Sequence, residues 1–177
     1  MKAEGKRQQA EVALAELLRY PNEDLARRVA HAIDALIEDR DALEEVTAFY
    51  DEVENVTVCG MEELYTRTFD LNPVATLDLG WHLYGEQYER GRFLAELRER
   101  EVKAGIDAGT ELPDHITAIL LLIAATHDDK LAAHVRPALE KIRKPLDEHG
   151  NPYRHLIAAA ELLVAGRRSP VAEEVQC

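Results

Sequence analysis

The sequence predicts an all-α protein, a bundle of about eight or nine helices. Three observations carry that expectation. Apolar residues recur at helical spacing almost from end to end. Glycine (9) and proline (7) are scarce, so few breaks interrupt the pattern. No stretch alternates with period two for long enough to argue a sheet.

The elements follow in order. Ala10, Leu14, Leu17 and Leu18 form a first stripe, ended by Tyr20-Pro21. Asn22 reads as an N-cap with Glu23 and Asp24 in the first turn, ahead of Leu25, Val29, Ala32, Ile33, Leu36 and Ile37. A third helix carries Leu43, Val46, Phe49, Tyr50 and Val53. After Gly60 a shorter one aligns Met61, Leu64, Tyr65, Thr68 and Phe69. Asn72-Pro73 reads as cap and first residue of a helix bearing Val74, Leu77, Trp81 and Tyr84 and ending near Gly85. From Glu86 to about Ala104, Phe93, Leu94 and Leu97 face inward amid dense charge.

Pro113 is expected to open the next helix, with Asp114 in its first turn against the helix dipole. That helix is apolar nearly all round through Ala125, which marks it as central. Leu131, Val135, Leu139, Ile142 and Leu146 share another, with Pro137 expected to kink it. Asn151-Pro152 repeats the cap-plus-proline start before Leu156, Ile157, Ala160, Leu163 and Val164. Residues 1–165 read as one helical domain and residues 166–177 as a flexible tail. The stretches Leu71–Pro73 and Gly105–Leu112 read as hinges.

Composition narrows the function. Hydrophobic residues at 46% and charged residues at 31% suit a soluble globular protein. The 21 basic and 34 acidic residues give a formal charge of −13, which repels nucleic acid and anionic membranes. Such an excess of carboxylate suits either a basic partner or simply a solvated surface. The first 20 residues lack an export-type apolar core, and no window approaches the roughly 18 consecutive apolar residues of a membrane span. Cys59 and Cys177 have no metal-type spacing, and a reducing cytoplasm fits them.

Most catalytic chemistries lack their residues. The one serine, Ser169, falls in the tail, and no glycine-rich phosphate cradle occurs. No histidine has glutamate three places before it, as a di-metal bundle requires. His127 and His134, with Asp128 and Asp129, form the one candidate metal group, read equally as polar residues of a solvated helix. Asp78 and His82 are spaced as a surface ion pair. Tyr65, Phe69, Trp81 and Tyr84 are core by their spacing, with a ligand-binding cluster as the alternative. Cys59 as a nucleophile needs a neighbouring base that the sequence does not locate. On these residues a binding role is favoured over an enzyme.

Four segments, in this order and at these separations, carry a resemblance: YTRTFD (Tyr65–Asp70), LDLGWHLYGEQYERG (Leu77–Gly91), ELPDHI (Glu111–Ile116) and NPYRHLIAA (Asn151–Ala159). Together they resemble the dedicated chaperones of molybdenum oxidoreductases, the NarJ branch of the TorD/DmsD group, over about residues 61–164. The tetrad Leu112-Pro113-Asp114-His115 is the most specific piece, and the spacing Gly85…Arg90-Gly91 supports it. The chain departs from the nitrate-reductase branch at Ile116-Thr117, where Leu-Pro is common.

The resemblance implies a TorD-like all-helical fold, no catalysis and no cofactor of its own. The implied partner is the catalytic subunit of a respiratory oxidoreductase of the nitrate reductase/DMSO reductase family, destined to carry bis-molybdopterin guanine dinucleotide. A chaperone of this kind binds that subunit's N-terminal segment, often a twin-arginine leader, in the cytoplasm, here as a monomer. The implied client-binding residues are Pro113, Asp114 and His115, with Trp81 and Tyr84 as apolar walls and Tyr65 and Phe69 bracing them. Asp114 is assigned to a client cation or to fixing His115, and His115 to a client carbonyl. The alternatives are a small metal- or ligand-binding enzyme built on His127, Asp128, Asp129 and His134, and a passive subunit of a complex.

Overall fold

A computed structural model describes residues 2–107 and 109–166. Nine α-helices are found among them: α1 (Lys2–Leu17), α2 (Leu25–Ala35), α3 (Arg40–Val53), α4 (Val58–Tyr65), α5 (Leu79–Tyr84), α6 (Tyr88–Ala104), α7 (Ile116–Thr126), α8 (Asp129–Glu148) and α9 (Tyr153–Ala165). A π-helical turn, Thr66–Asp70, extends α4. Of the tail expected over residues 166–177, residues 167–177 lie outside the described residues.

Helix α7 is central because it has no polar face to turn outward. All its residues from Ile116 to Ala124 are buried except Leu121. It packs against α1, α6 and α8, while α9 lies between α3 and α8. Buried side chains from all nine helices join in one contiguous cluster. Glu101, on α6, is buried with them.

Local signals set most of the helix ends. Asp39, Thr57 and Asp128 each accept a hydrogen bond from a backbone amide as N-caps of α3, α4 and α8. Asn151 Oδ1 accepts from Tyr153 N at 3.0 Å, and α9 starts at Tyr153, one residue after the expected Pro152. Helix α8 runs unbroken through Pro137 and Pro145. Gly85, with φ +59°, ends α5 and redirects the chain into α6.

Some expectations fail, each for a physical reason. Asn22 does not cap α2. Its Oδ1 instead accepts from Asp24 N and from Arg28, so α2 begins at Leu25. Gly60 lies inside α4, because Thr57 caps the helix earlier. Ile37, Tyr50 and Val74 are exposed, the first just past the end of α2. Asn72-Pro73 opens only a single turn, since residues 77–79 are drawn into a pairing described below. For the same reason α7 starts at Ile116, and Pro113 and Asp114 form a turn before it.

Candidate functional site

The pairing is an isolated antiparallel bridge between Asp78 and His115. Leu79 N–H donates to the Asp114 carbonyl at 2.8 Å, and Ile116 N–H donates to the Leu77 carbonyl at 2.9 Å. His115 N–H closes the Pro113-Asp114 turn onto the Leu112 carbonyl at 3.0 Å. Two segments that each precede a helix are thereby locked side by side.

One arginine braces both strands of the bridge. Arg90 Nε donates to Asp114 Oδ2 at 2.9 Å, and its second terminal nitrogen donates to Asp78 Oδ2 at 3.2 Å. The guanidinium lies 5.7 Å from the centroid of the Trp81 ring, within cation–π range. Asp114 is fully buried, and its Oδ1 makes no hydrogen bond. Burial pushes the Asp114 carboxyl up, and Arg90 offsets part of that shift. Helix α5 comes this close because residue 80 is glycine: a Cβ there would stand 2.4 Å from Asp114 Oδ2. The Asp114 carboxylate thus faces the interior, beneath His115.

His115 is the N-cap of α7. Its Nδ1 accepts from Thr117 N at 3.3 Å and lies 2.8 Å from the Thr117 hydroxyl. With Nδ1 accepting, the ring hydrogen resides on Nε2, which lies 4.0 Å from Glu111. Burial holds the His115 pKa below its usual value, against the opposing pull of Glu111, Asp78, Asp114 and Asp70. Thr117 stands where the resembling chaperones commonly carry proline, which could supply neither donor to this ring.

Above the bridge is a pocket of about 450 Å³ lined by Tyr20, Tyr65, Phe69, Asp70, Thr76, Leu77, Asp78, Glu111 and His115. Its aromatic wall is held rigidly. Tyr65 packs edge-on against Tyr20 at 5.3 Å, Phe69 at 5.0 Å and Tyr153 at 5.7 Å. The Tyr65 hydroxyl donates to the Leu18 carbonyl at 3.2 Å, and burial pushes its pKa upward. Asp70 and Glu111 are exposed at the rim. The site therefore offers an apolar wall, an imidazole donor and two hydrated carboxylates.

The predicted residues do not all meet. Tyr65, Phe69 and His115 share the pocket, with Pro113 and Asp114 buried behind it. Trp81 sits under Arg90 instead. Tyr84 lies on another face, bonded to His134 Nε2 at 2.6 Å and packed on Phe93 at 5.5 Å. Tyr20, Asp70 and Glu111 escaped sequence reasoning, because nothing local marks an exposed loop or helix-end residue as part of a rim. Arg90 contributed only spacing, and Gly80 gave no signal at all.

Two further expectations are corrected. Asp78 and His82 do not pair: Asp78 goes to Arg90, and His82 Nε2 lies 2.7 Å from the Thr76 carbonyl. The proposed metal group is dispersed. His127 ends α7 in the left-handed region (φ 52°), Asp128 caps α8 and binds Arg100, and His134 is taken by Tyr84. Among the described residues no cluster of three or more such side chains is placed to hold a metal ion. Nor is any described helix long and apolar enough to cross a membrane.

Compared with known proteins, residues 22–159 match the family described as nitrate reductase delta subunit. No curated protein matches the chain. With most of its length matched, the chain belongs to the nitrate reductase delta subunit family, the NarJ-type chaperones that assemble molybdoenzymes and are not themselves catalysts.

Proposed function

We propose that this chaperone binds the N-terminal segment of the catalytic subunit of a respiratory molybdenum oxidoreductase in the pocket beside His115. It holds that subunit in the cytoplasm while bis-molybdopterin guanine dinucleotide is inserted, then releases it for export or membrane docking. It acts as a monomer and carries no cofactor itself.

The observation that carries this reading is the composition of the pocket. An N-terminal leader combines arginines with an apolar segment. Asp70 and Glu111 at the rim suit a guanidinium, which a carboxylate can grip through two parallel hydrogen bonds. Tyr20, Tyr65 and Phe69 suit the apolar part. His115 Nε2–H suits a backbone carbonyl in an extended segment. Asp114 supports this indirectly, by fixing the turn that presents His115.

Two experiments test it. Tagged protein purified from its host should bring with it a large molybdenum-enzyme subunit lacking cofactor, identified by mass spectrometry. A peptide copying that subunit's N-terminus should bind with a dissociation constant near 1 μM, about −8 kcal/mol. The double substitution Asp70→Asn and Glu111→Gln should weaken it roughly tenfold, about 1.4 kcal/mol. Equal binding of a scrambled peptide would overturn the proposal.

A further inference from the structure

A second pocket, of about 620 Å³, adjoins the first and shares Tyr20, Glu111 and His115 with it. The two differ in charge. Among the residues lining the first are Asp70, Asp78 and Glu111, and no lysine or arginine. The second adds Arg19, Arg27 and Arg28, set against Glu16, Asp24 and the shared Glu111.

These arginines are not equivalent. Arg27 is neutralised by Asp24 at 3.1 Å. Arg28 is only 8% exposed, and its terminal nitrogens donate solely to neutral oxygens: the carbonyls of Glu16, Arg19 and Tyr20, and the side-chain amide of Asn22. Its Nε is buried without a partner. Arg19 is exposed at the rim and forms no ion pair among the described residues. A buried guanidinium held only by neutral acceptors keeps its field available to whatever enters the pocket. Burial lowers the Arg28 pKa, as expected of a cation without a counter-ion in contact.

We propose that this second pocket is an anion subsite, in which exposed Arg19, backed by the buried charge of Arg28, receives an acidic side chain of the client segment whose cationic end lies at Asp70. The proposal rests on the binding role argued above and adds a requirement to it: the segment must carry opposite charges at two points. Tyr20, Glu111 and His115, common to both pockets, separate the two charged points. A single carboxylate fits better than a phosphate group, because Glu16, Asp24 and Glu111 in the same lining would repel the larger charge. Two charge-selective points also reject segments with the wrong pattern, which is how a chaperone could discriminate among several basic leaders.

The test uses short, amidated, fluorescein-labelled peptides with an arginine pair, an apolar centre and one glutamate, read by fluorescence anisotropy on the full chain. Replacing that glutamate by glutamine should weaken binding roughly tenfold. Arg19→Gln, an exposed substitution that leaves the Arg28 contacts intact, should abolish most of that difference. Arg19→Glu should in turn prefer a peptide with lysine in place of the glutamate. Equal affinity of the glutamate and glutamine peptides, or a difference untouched by Arg19→Gln, overturns the anion subsite while leaving client binding in place. Failure of every peptide, including one copied from the co-purified subunit, overturns the binding role and the subsite with it.

Discussion

Two groups of charged side chains tie together parts of the chain that are far apart in sequence. Arg90, Asp114 and Asp78 do so against the core, beneath the candidate pocket. Glu45, Glu52, Arg154 and His155 do so at the surface, where α9 crosses α3. The surface group has the more contacts: Arg154 grips both oxygens of Glu52, and both ring nitrogens of His155 face carboxylates. Yet α3 and α9 would meet without it, because Phe49 and Tyr153 already pack at 5.4 Å between them. The Asp78–His115 bridge has apolar anchors too, since Leu77, Leu79 and Ile116 are buried in the core, but the carboxylate of Asp114 beside it is fully buried and relies on Arg90. The number of ion pairs is therefore a poor guide to what a structure depends on. What matters is whether an uncompensated charge would be left out of water.

The sharpest break is at the buried network. Arg90→Ala leaves the Asp114 carboxylate without a counter-ion and should destabilise the fold by about 3 kcal/mol, measured by urea unfolding. Pairing it with Asp114→Leu should recover part of that loss, since removing both charges is cheaper than stranding one. Next comes Gly80→Ala. The added methyl meets Asp114 Oδ2 at 2.4 Å, and the resulting shift of α5 should cost about 2 kcal/mol on the same assay.

A third test uses pH. The folded pKa of His115 lies below its unfolded value, so the unfolded chain binds the proton first on acidification. Stability from this group is complete above the unfolded pKa and is lost as pH falls through the folded one. His115→Asn keeps an N-cap while removing the titration. Melting temperatures taken from neutral pH downward should fall more steeply for the wild type than for the variant. Parallel curves would show that His115 is not held neutral. The smallest effect is expected at the surface: Arg154→Ala should cost only about 0.5 kcal/mol. A loss there matching that of Arg90→Ala would reverse the comparison.

The two helices opened by proline signals show how much was legible. At Asn151-Pro152 the local reading holds to within one residue: Pro152 takes the N-cap place, α9 begins at Tyr153, and Asn151 Oδ1 accepts from the Tyr153 amide. At Pro113 the same reading misplaces the start of α7 by three residues. There the amide of Ile116 and the carbonyl of Asp114 pair with Leu77 and Leu79, partners more than 30 residues away. Periodicity reveals faces, so the helices and the central place of α7 could be read directly. It reveals nothing about which turns pair with which. The aromatics divide for the same reason: Tyr65 and Phe69 reach the pocket from α4 and its π-turn, whereas α5 turns Tyr84 toward His134. The resemblance did single out the segment around His115, and Arg90 needed the structure to acquire a role.

The proposed role places the client in the pocket beside His115. Hydrogen–deuterium exchange of the chaperone with and without the catalytic subunit's N-terminal peptide tests it most directly. Slowed exchange is expected in residues 16–22, 66–79 and 109–117, with the face around Tyr84 and His134 unchanged. Protection confined to that second face, with the segments around Tyr20, Phe69 and His115 unaffected, would contradict it.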